Sequence, residues 1–563
     1  MERRRVFIIL FLFTVVFIAI ILRILELQWL NQEHYLKLAK NQYYTSEEIF
    51  LPRGIIYDRN GKFIAISVPK LAVWVVPKYI KDKEATAKGL SNILGIPYEK
   101  LLNILNSRRN YTVVANDVDI QIKPKLLKLR SDLKEWNIGI TENNIRFYPN
   151  NQIAGSTIGC VSRKTGKGLD GIEYLLDNYL GGGQAKFIFL KDAKGNPITI
   201  EKANVEKLSY HAVLTIDINI QYIAEEALNE LVFHRDPLEA SILILDPKTG
   251  EILASATYPN YDPNSYYKYR IRKNINFQHA YEVGSLAKPF ILAQAVEERK
   301  VNMNETIDCL NGAIDVDGVK IRDHKRFGIL NPVRIIQHSS NVGAIKIALR
   351  LDGKRFIEKL KMLGFGEKHD IFPGEASGLV KLNNRPVDIA YGSIGQNWTA
   401  TPLQIAIAYS VFANGGYRVK PILVKGLVDS SGKFVWYNKP KVDRQIFSKD
   451  VVDTVIPSMV EVIENGTAKA GKSNYFTVAG KTGTAQKYDP AIRALSNSKW
   501  YTWFAGFFPV SDPKFVVVIF ANEPKPKYLG EHIGGGGVSA DVLKLIVDRI
   551  MFYYKQKPDK QLN

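Results

Sequence analysis

The hydrophobic and polar positions of the chain follow three patterns, and the first is one long apolar run near the beginning. Residues 6–22 carry no charge, and the apolar character continues past Arg23. A run of this length is at the short end of what a bilayer-spanning helix needs, and an arginine near its end can extend its charged tip to the interface. Three arginines stand at positions 3–5, which predicts a cytoplasmic tail over residues 1–5 and a transmembrane helix over residues 6–27.

The residues after this helix bear on whether it stays attached. They are bulky and lack the small-residue pattern of a cleavage site. We therefore predict an uncleaved signal-anchor that places the rest of the chain outside the cytoplasmic membrane. A removed signal peptide is the alternative. We expect a polar helical stalk over residues 28–45.

The second pattern is a polar capping residue followed by apolar residues at helical spacing. Asp217 precedes a segment in which Ile220 and Ile223 fall on one face, and this predicts a capped helix that ends near residue 235. Residues 401–404, Thr-Pro-Leu-Gln, have the form of a capping box with proline at the first helical position. Both segments therefore predict helices with defined starting points.

The third pattern is short apolar runs separated by turn residues. The runs at 502–508 and 515–520 are dense in aromatic and β-branched residues and flank a Ser-Asp-Pro turn, so they predict a hairpin in a buried sheet. Asn60-Gly61 predicts a second hairpin, in which Asp58 and Arg59 are structural residues, as is Arg53 before it.

These patterns predict an α/β fold in which an antiparallel sheet is flanked by helices. We assign that sheet to a large domain over residues 235–550, followed by a short tail at 551–563. A second domain of mixed α+β structure is expected over residues 28–234, between the anchor and the large domain.

Composition narrows the class of protein further. The chain has 563 residues with a net charge of +20, and 46% of them are hydrophobic, which is typical of a folded protein of several domains. No nucleic-acid motif accompanies the scattered basic residues, so anionic lipid headgroups or cell-wall polymers are the favoured targets of this charge, with general solubility as the alternative. The dispersed histidines and the absence of a Walker loop or dinucleotide fingerprint imply neither a metal nor a nucleotide cofactor.

Three short motifs stand in one order along the chain and carry the chemistry. They are Ser285-Leu-Ala-Lys288, Ser339-Ser-Asn341 and Lys481-Thr482-Gly483-Thr484. Each is weak alone, since Ser-x-x-Lys and Lys-Thr-Gly recur elsewhere. The Lys-Thr-Gly at 248–250 lies between two apolar runs and predicts only a hairpin turn. Together the three motifs supply a nucleophile, a base, proton-relay groups and an anion-binding strand, which is a complete set for acyl transfer through a serine ester.

The spacing of the first motif explains how a serine hydroxyl becomes reactive. Ser285 and Lys288 are three apart on a predicted helix and share one face. A lysine takes a proton from serine only if its pKa falls, and burial among the apolar residues that follow would lower it. The alternative is a capping serine beside a solvated lysine. In the third motif, Gly480 before Lys481 is expected to allow close approach by a ligand.

With these motifs, the chain resembles the class B penicillin-binding proteins, which are membrane-anchored peptidoglycan D,D-transpeptidases. The resemblance extends over nearly the whole chain. It includes Arg53–Gly61 and Gly168–Glu173, so the resemblance implies that the domain over residues 28–234 is the family's N-terminal pedestal. It also includes Leu245–Ala254, which implies that the domain over residues 235–550 is its catalytic domain. Val283 stands where the family has proline, which changes the approach to the helix and leaves the chemistry intact.

The resemblance implies a role for each motif residue. Ser285 is acylated by the donor peptide and Lys288 is its base, while Ser339 and Asn341 relay protons and hold the peptide. Lys481 belongs to the catalytic set, and Lys481, Thr482 and Thr484, on the strand that includes Gly483, bind the terminal carboxylate of D-Ala. The backbone N–H groups of Ser285 and Thr484 form the oxyanion hole. A glycine-rich segment at 528–537 either borders this site or is a flexible turn.

The resemblance also implies a function and partners. Residues 168–173 and 191–198 are more similar to the septal, FtsI-type enzyme of cell division than to the elongation type, which stays as the alternative. The expected partners are stem peptides that end in D-Ala-D-Ala, an amine acceptor, β-lactams as acylating inhibitors, division proteins and a glycan polymerase of the SEDS family. A D,D-carboxypeptidase, a β-lactamase and an inactive division scaffold are less favoured interpretations.

Overall fold

The structure is a computed structural model, and it describes residues 2–30, 32, 33, 35, 44–50, 52–107, 109–182, 184–191, 197–205, 209–270, 273–528, 530, 531 and 533–560. The chain divides into two compact units. The first comprises residues 1–53 and 182–209, and the second comprises residues 54–181 and 210–563.

The first unit contains the apolar run predicted to be a membrane helix. The helix Glu2–Leu25 continues into a π-helical turn at Glu26–Leu30, and the segment Val6–Trp29 is long and apolar enough to cross a membrane. None of that segment is buried in the protein, as expected for a helix whose apolar side chains face lipid. Most of the stalk predicted at 28–45 and residues 192–196 lie outside the described residues.

The rest of the first unit is a small antiparallel sheet. Its three strands are Tyr44–Phe50, Gln184–Lys191 and Pro197–Val205, with the strand 184–191 in the middle. This sheet therefore joins segments far apart in the sequence.

The second unit begins with the Asn60-Gly61 hairpin, which the structure confirms. Strand Ile56–Tyr57 pairs with the start of strand Phe63–Val75, and the Asp58 carboxylate accepts the backbone N–H groups of Asn60 and Lys62. Strand Phe63–Val75 also pairs with Thr112–Asp119 and Ile138–Phe147, and a small hydrophobic core lies between these strands and nearby helices. Those helices are Lys83–Leu94, Tyr98–Leu105 and Lys123–Asp132.

A five-stranded antiparallel sheet forms the centre of the second unit. Its strand order is Ile252–Tyr258, Glu239–Leu245, Phe515–Asn522, Ala494–Phe508 and Ala479–Asp489. The turn at 248–250 joins the first two strands and the Ser-Asp-Pro turn joins the third and fourth, as predicted. The strand that carries the Lys-Thr-Gly motif, 479–489, therefore lies at the edge of the sheet.

Helices pack on this sheet, which confirms the predicted fold class. Asp217 caps Ile218–Arg235, and this helix packs against the C-terminal helix Gly535–Tyr553. The helix Pro402–Ala413 starts with the predicted capping box, and all of its residues are buried. The other helices of four or more residues in the described chain are Gly155–Ile158, Gly171–Leu175, Asp177–Leu180, Ile275–Gln278, Lys288–Glu297, Pro332–His338, Asn341–Ala348, Gly353–Met362, Pro386–Ser393 and Lys449–Glu464.

Short strands and 3₁₀ turns connect these elements. The remaining strands of the described chain are His211–Leu214, Tyr281–Glu282, Ile307–Asp308, Ala313–Val316, Val319–Arg322, Ile329–Leu330, Leu379–Val380, Trp398–Ala400, Tyr417–Val419, Val424–Val428, Phe434–Tyr437 and Val442–Gln445. The 3₁₀ turns are Pro77–Tyr79, Ile120–Ile122, Pro263–Lys268, Gly284–Ala287, Leu310–Gly312 and Lys469–Gly471. The turn at Gly284–Ala287 contains the serine of the first motif.

Candidate active site

Ser285 lies in a tight turn that the surrounding backbone holds on two sides. The 3₁₀ turn Gly284–Ala287 runs directly into the helix Lys288–Glu297. Gly284 has a φ of +61°, and a Cβ there would lie 2.9 Å from the carbonyl oxygen of Thr484, so only glycine fits. Its N–H donates to the carbonyl of Gly395 at 2.9 Å. The turn that contains Ser285 is therefore fixed against the Lys-Thr-Gly strand.

A buried tyrosine holds the same turn through a hydrogen bond to its backbone. Tyr409 lies on the helix Pro402–Ala413 and donates its hydroxyl to the carbonyl of Leu286 at 3.0 Å. The side chain of Ser285 is partly exposed and makes no hydrogen bond to any residue in the described part of the chain. Since it caps no helix, the interpretation of Ser285 as a capping serine is wrong.

Lys288 is 1% exposed, so the interpretation of a solvated lysine is also wrong. Its Nζ donates to the carbonyl of Ser339 at 2.6 Å, to Ser339 Oγ at 3.1 Å and to Asn341 Oδ1 at 2.8 Å. Burial lowers the pKa of Lys288 to about 7, and the charge of Asp323 opposes this shift. The lysine can therefore hold or release a proton near neutral pH.

The second motif occupies the junction of two helices. Ser339 ends the helix Pro332–His338 with a φ of +60°, which is unusual for a residue with a side chain. Ser340 caps the helix Asn341–Ala348 by accepting the N–H of Gly343 at 3.0 Å. Because the chain reverses at Ser339, its carbonyl and its hydroxyl both reach the ammonium group of Lys288.

Asp323 supports this junction, although it belongs to none of the three motifs and was not predicted. Its carboxylate accepts the Ser340 hydroxyl at 2.9 Å, the N–H of Val342 at 3.1 Å and the N–H of Asn341. The residue before it, Arg322, accepts the side-chain amide of Asn341 through its carbonyl at 2.9 Å. Asp323 is thus an anion at a helix N-terminus, where the helix dipole favours negative charge.

The third motif lies on the edge strand Ala479–Asp489. Thr482 Oγ1 lies 2.7 Å from Thr467 Oγ1, and Thr484 Oγ1 accepts the N–H of Gly535 at 2.9 Å. A Cβ on Gly483 would lie 3.0 Å from both the carbonyl oxygen of Val283 and the side chain of Leu286, so the strand lies directly against the turn that contains Ser285. The prediction for Gly480 is wrong, because the Phe504 ring fills the space that a ligand was expected to use.

Lys481 is fully buried, and its Nζ donates to the carbonyl of Thr482 at 3.0 Å. Burial, and then the positive charge of Lys288, lower its pKa well below the ordinary value. Among the residues that the structure describes, no carboxylate forms an ion pair with Lys481. A buried lysine without a carboxylate partner holds its proton more strongly once an anion lies beside it, so this environment favours the binding of an anion together with a proton.

His324 is a further residue near this site that sequence reasoning missed. Its pKa is lowered to about 4, first by desolvation and then by the positive charge of Lys288, with a smaller effect from Lys481. The side chain is exposed to solvent, and its ring meets the ring of Phe327 edge-on, with 5.7 Å between the two ring centres. His324 is therefore neutral near pH 7 and adds no positive charge to the two lysines. The only hint in the sequence is that it follows Asp323 in a polar cluster ahead of the second motif.

Comparisons with known proteins agree with this geometry. Residues 240–548 match the penicillin-binding protein transpeptidase domain, and residues 48–209 match the penicillin-binding protein dimerisation domain. The peptidoglycan D,D-transpeptidase FtsI of Buchnera aphidicola is 31% identical, with 99% of this chain and 95% of the relative covered. Stage V sporulation protein D of Bacillus subtilis is 29% identical, with coverages of 96% and 84%.

The fold is also found among solved structures. Penicillin-binding protein 2X of Streptococcus thermophilus has a TM-score of 0.76 at 23% identity, over 91% of this chain and 81% of that chain. A serine turn, a buried lysine and a Lys-Thr-Gly edge strand on this fold define a serine enzyme of the penicillin-recognising class. The chain belongs to the class B penicillin-binding proteins of the FtsI type.

The pKa of Lys288 leads to a prediction about pH. If Lys288 is the base for Ser285, only its neutral form accepts the serine proton. The rate of acylation by a penicillin should then rise about tenfold per pH unit below pH 7 and level off above it. In D323N the charge that raises the pKa of Lys288 is lost, so the midpoint should move to lower pH. Stopped-flow acylation from pH 5 to 9 measures both profiles, and a flat profile in the parent protein would contradict the assignment.

Proposed function

We propose that this protein is a peptidoglycan D,D-transpeptidase that cross-links stem peptides through an acyl-serine intermediate. The observation that carries the proposal is the environment of Lys288, which is buried, bonded to Ser339 and Asn341, and has a pKa near 7. A lysine is a poor choice for a packing role at this position, because burial of its amine costs stability and an apolar side chain would fill the same space without that cost.

In the first step, Ser285 Oγ attacks the carbonyl carbon between the two terminal D-alanines of a donor peptide. Neutral Lys288 takes the hydroxyl proton, and the peptide carbonyl becomes an oxyanion. The N–H groups of Ser285 and Thr484 would stabilise that oxyanion, and the close contact of Gly284 with the Thr484 backbone supports their convergence. Loss of one such donor typically lowers the rate by about 10²–10³-fold.

Collapse of this intermediate breaks the amide bond and releases D-alanine. The leaving nitrogen must gain a proton, and Ser339 connects it to Lys288, since a hydroxyl can accept from an ammonium and donate to an amine. Asn341 would hold Lys288 and the peptide through the two ends of its amide. The product of the step is an ester between the donor peptide and Ser285.

The edge strand supports recognition of the donor. Lys481 is a buried residue of this strand, and Thr482 and Thr484 come directly before and after Gly483 along it. These groups would bind the terminal carboxylate of D-Ala-D-Ala, and a penicillin would present its own carboxylate to them. An edge strand also offers unpaired backbone groups, which suit an extended peptide.

In the second step, an amine of a neighbouring stem peptide attacks the ester carbonyl. The amine transfers its proton through the Ser339 and Lys288 relay to Ser285 Oγ as the acyl–serine bond breaks, and a new amide bond forms between the two peptides. Water in place of the amine would make the enzyme a carboxypeptidase. The matched family is named for transpeptidation, and this favours the amine.

The first test is covalent labelling with a fluorescent penicillin. The full-length protein in detergent should form a stable adduct at Ser285, and S285A should lose it completely because the nucleophilic oxygen is gone. Thermal unfolding of S285A should match that of the parent protein and exclude misfolding.

The same preparation separates the competing activities. Incubation with a D-Ala-D-Ala peptide and an amine acceptor should give a cross-linked product that S285A does not give. Hydrolysis alone would point to a carboxypeptidase, rapid turnover of the penicillin to a β-lactamase, and no acylation to a scaffold.

We also propose that the protein acts in septal wall synthesis from the cytoplasmic membrane. The exposed helix Val6–Trp29 would be a single-pass anchor with residues 1–5 in the cytoplasm and the catalytic domain outside. An FtsI-type enzyme among the relatives supports the septal role, and the elongation-type enzyme is the alternative.

Depletion of the protein in its own cells tests this role. Septal synthesis predicts filaments that elongate without dividing, whereas elongation-type synthesis predicts rounded cells. Complementation by the parent gene and failure of S285A would tie the phenotype to catalysis. Rounded cells would exclude the septal assignment.

A transpeptidase cross-links peptides on glycan strands that a polymerase supplies. The family matches at 48–209 and 240–548 are to a dimerisation domain and a transpeptidase domain, and we propose a SEDS-family polymerase and other division proteins as partners. Affinity purification of the full-length chain from solubilised membranes should recover the polymerase. A variant in which an unrelated anchor helix replaces residues 6–27 is the control, because it shows whether recovery of the polymerase depends on contacts of this helix within the membrane. If neither the polymerase nor any division protein is recovered, even after chemical cross-linking of the membranes, the proposed partnership is contradicted.

A further inference from the structure

Arg235 is one of the most deeply buried charged residues of the protein, and its side chain is 2% exposed. It ends the helix Ile218–Arg235. Its guanidinium bonds to three groups: Nη1 to Glu531 Oε2 at 2.7 Å, Nε to Asp541 Oδ2 at 3.0 Å, and Nη2 to the carbonyl of Gly537 at 2.9 Å. A planar guanidinium suits this arrangement because its donors point in fixed directions.

All three partners belong to one segment of the chain. Glu531 lies in the rim loop, which we define as the described residues 523–528, 530, 531, 533 and 534, and Gly537 and Asp541 lie in the first turns of the C-terminal helix. The N–H of Lys525 in the rim loop also donates to the carbonyl of Arg235 at 2.6 Å. Arg235 therefore holds the rim loop and the start of the C-terminal helix in one position.

The start of that helix lies directly on the Lys-Thr-Gly strand. A Cβ on Gly535 would lie 2.2 Å from the carbonyl oxygen of Gly483, so its backbone packs on the strand without room for a side chain. The neighbouring Gly536 packs in the same way on the carbonyl of Thr467, 1.8 Å from the position of a Cβ. The helix start thus touches both the strand and the threonine that contacts Thr482.

This contact restricts the acceptors that are open to the hydroxyl hydrogen of Thr484. The N–H of Gly535 donates to Thr484 Oγ1 at 2.9 Å, which uses one of the acceptor sites of that oxygen. A hydroxyl has one hydrogen, and the Gly535 contact cannot take it because the amide is itself the donor. The hydroxyl hydrogen of Thr484 is therefore left to donate to another acceptor, and a carboxylate is the acceptor that the proposed function supplies.

We propose that Arg235 is a positioning residue for carboxylate recognition, acting through the helix start and Gly535 on the hydroxyl of Thr484. The proposal rests on the proposed function, in which Thr484 binds the terminal carboxylate of the donor. Arg235 itself touches neither substrate nor the reacting atoms.

The test compares two penicillins on the full-length protein in detergent. Benzylpenicillin carries the carboxylate, and its methyl ester lacks the charge. The parent protein should be acylated faster by the free acid. In R235M and in R235K this ratio of acylation rate constants should fall about tenfold or more, because small misplacements of a binding group have effects of this size. Lysine cannot make the three bonds of the guanidinium, so it should not restore the ratio.

Arg418 offers a matched control. It is 5% exposed and bonds to two carboxylates, with Nε donating to Asp443 at 2.6 Å and Nη1 to Glu367 at 2.8 Å. R418M should be destabilised in the same way as R235M, yet its ratio should stay at the parent value. A general loss of stability would lower acylation by both compounds and leave the ratio unchanged.

A second variant reaches the same contact without removing a charge. G535A would place a methyl group against the carbonyl of Gly483 and shift the helix start, so it should lower the ratio as R235K does. If R235M does not fold, R235K and G535A decide the question. A parent-like ratio in folded R235K would overturn the proposal, and an unfolded R235K would make Arg235 a determinant of the fold instead. Absence of any adduct on the parent protein would refute the proposed function rather than this inference.

Discussion

The candidate site depends on one constraint, which is that Lys288 is buried and bonded to uncharged oxygens. A carboxylate in direct contact would form an ion pair and raise the pKa of the lysine, which would keep it protonated at neutral pH. The bonds to Ser339 and Asn341 satisfy the hydrogens of the lysine without adding a counter-charge. Asp323, the carboxylate whose charge raises the pKa of Lys288, instead accepts hydrogen bonds from the Ser340 hydroxyl and from the first N–H groups of the helix Asn341–Ala348. Its charge therefore moderates the pKa of the lysine without pairing with it.

The central sheet supplies the rigidity that this arrangement needs. The edge strand Ala479–Asp489 is paired on one side only, so its other side faces the turn that contains Ser285. Glycines make that contact possible, because side chains at Gly284 and Gly483 would collide with the opposing residues. Backbone contacts of this kind tolerate little displacement, so the proposed oxyanion-binding N–H groups would already be in position before a substrate arrives.

The sequence allowed many elements of the fold and the three motifs of the candidate site to be predicted, because motif spacing and local pattern are properties of neighbouring residues. The hairpins at 60–61 and 248–250, the capping box at 401–404 and the helix after Asp217 all follow from local rules, and the structure confirms each of them. Residues that act across the fold could not be found in this way. Asp323, Tyr409 and Arg235 reach the site through contacts with segments remote in sequence, and none of them belongs to a recognisable motif. Gly480 shows the opposite limit, since the local rule selected a glycine that the fold requires for packing against Phe504.

Two buried lysines in one site also have a thermodynamic cost, and the rest of the fold must offset it. The unfolded chain holds more protons than the folded chain between the lowered pKa of Lys288, about 7, and the ordinary value of 10.5, so stability rises with pH over that range. At neutral pH most of the cost is still present, and Lys481 adds to it. The large hydrophobic core around the central sheet, which includes Trp503, Phe504 and Phe520, offsets this cost. An anion bound beside Lys481 would reduce the cost further, because it supplies the counter-charge that the described protein residues withhold. The missing counter-charge that weakens the folded protein would thereby strengthen its binding to the carboxylate of the proposed donor.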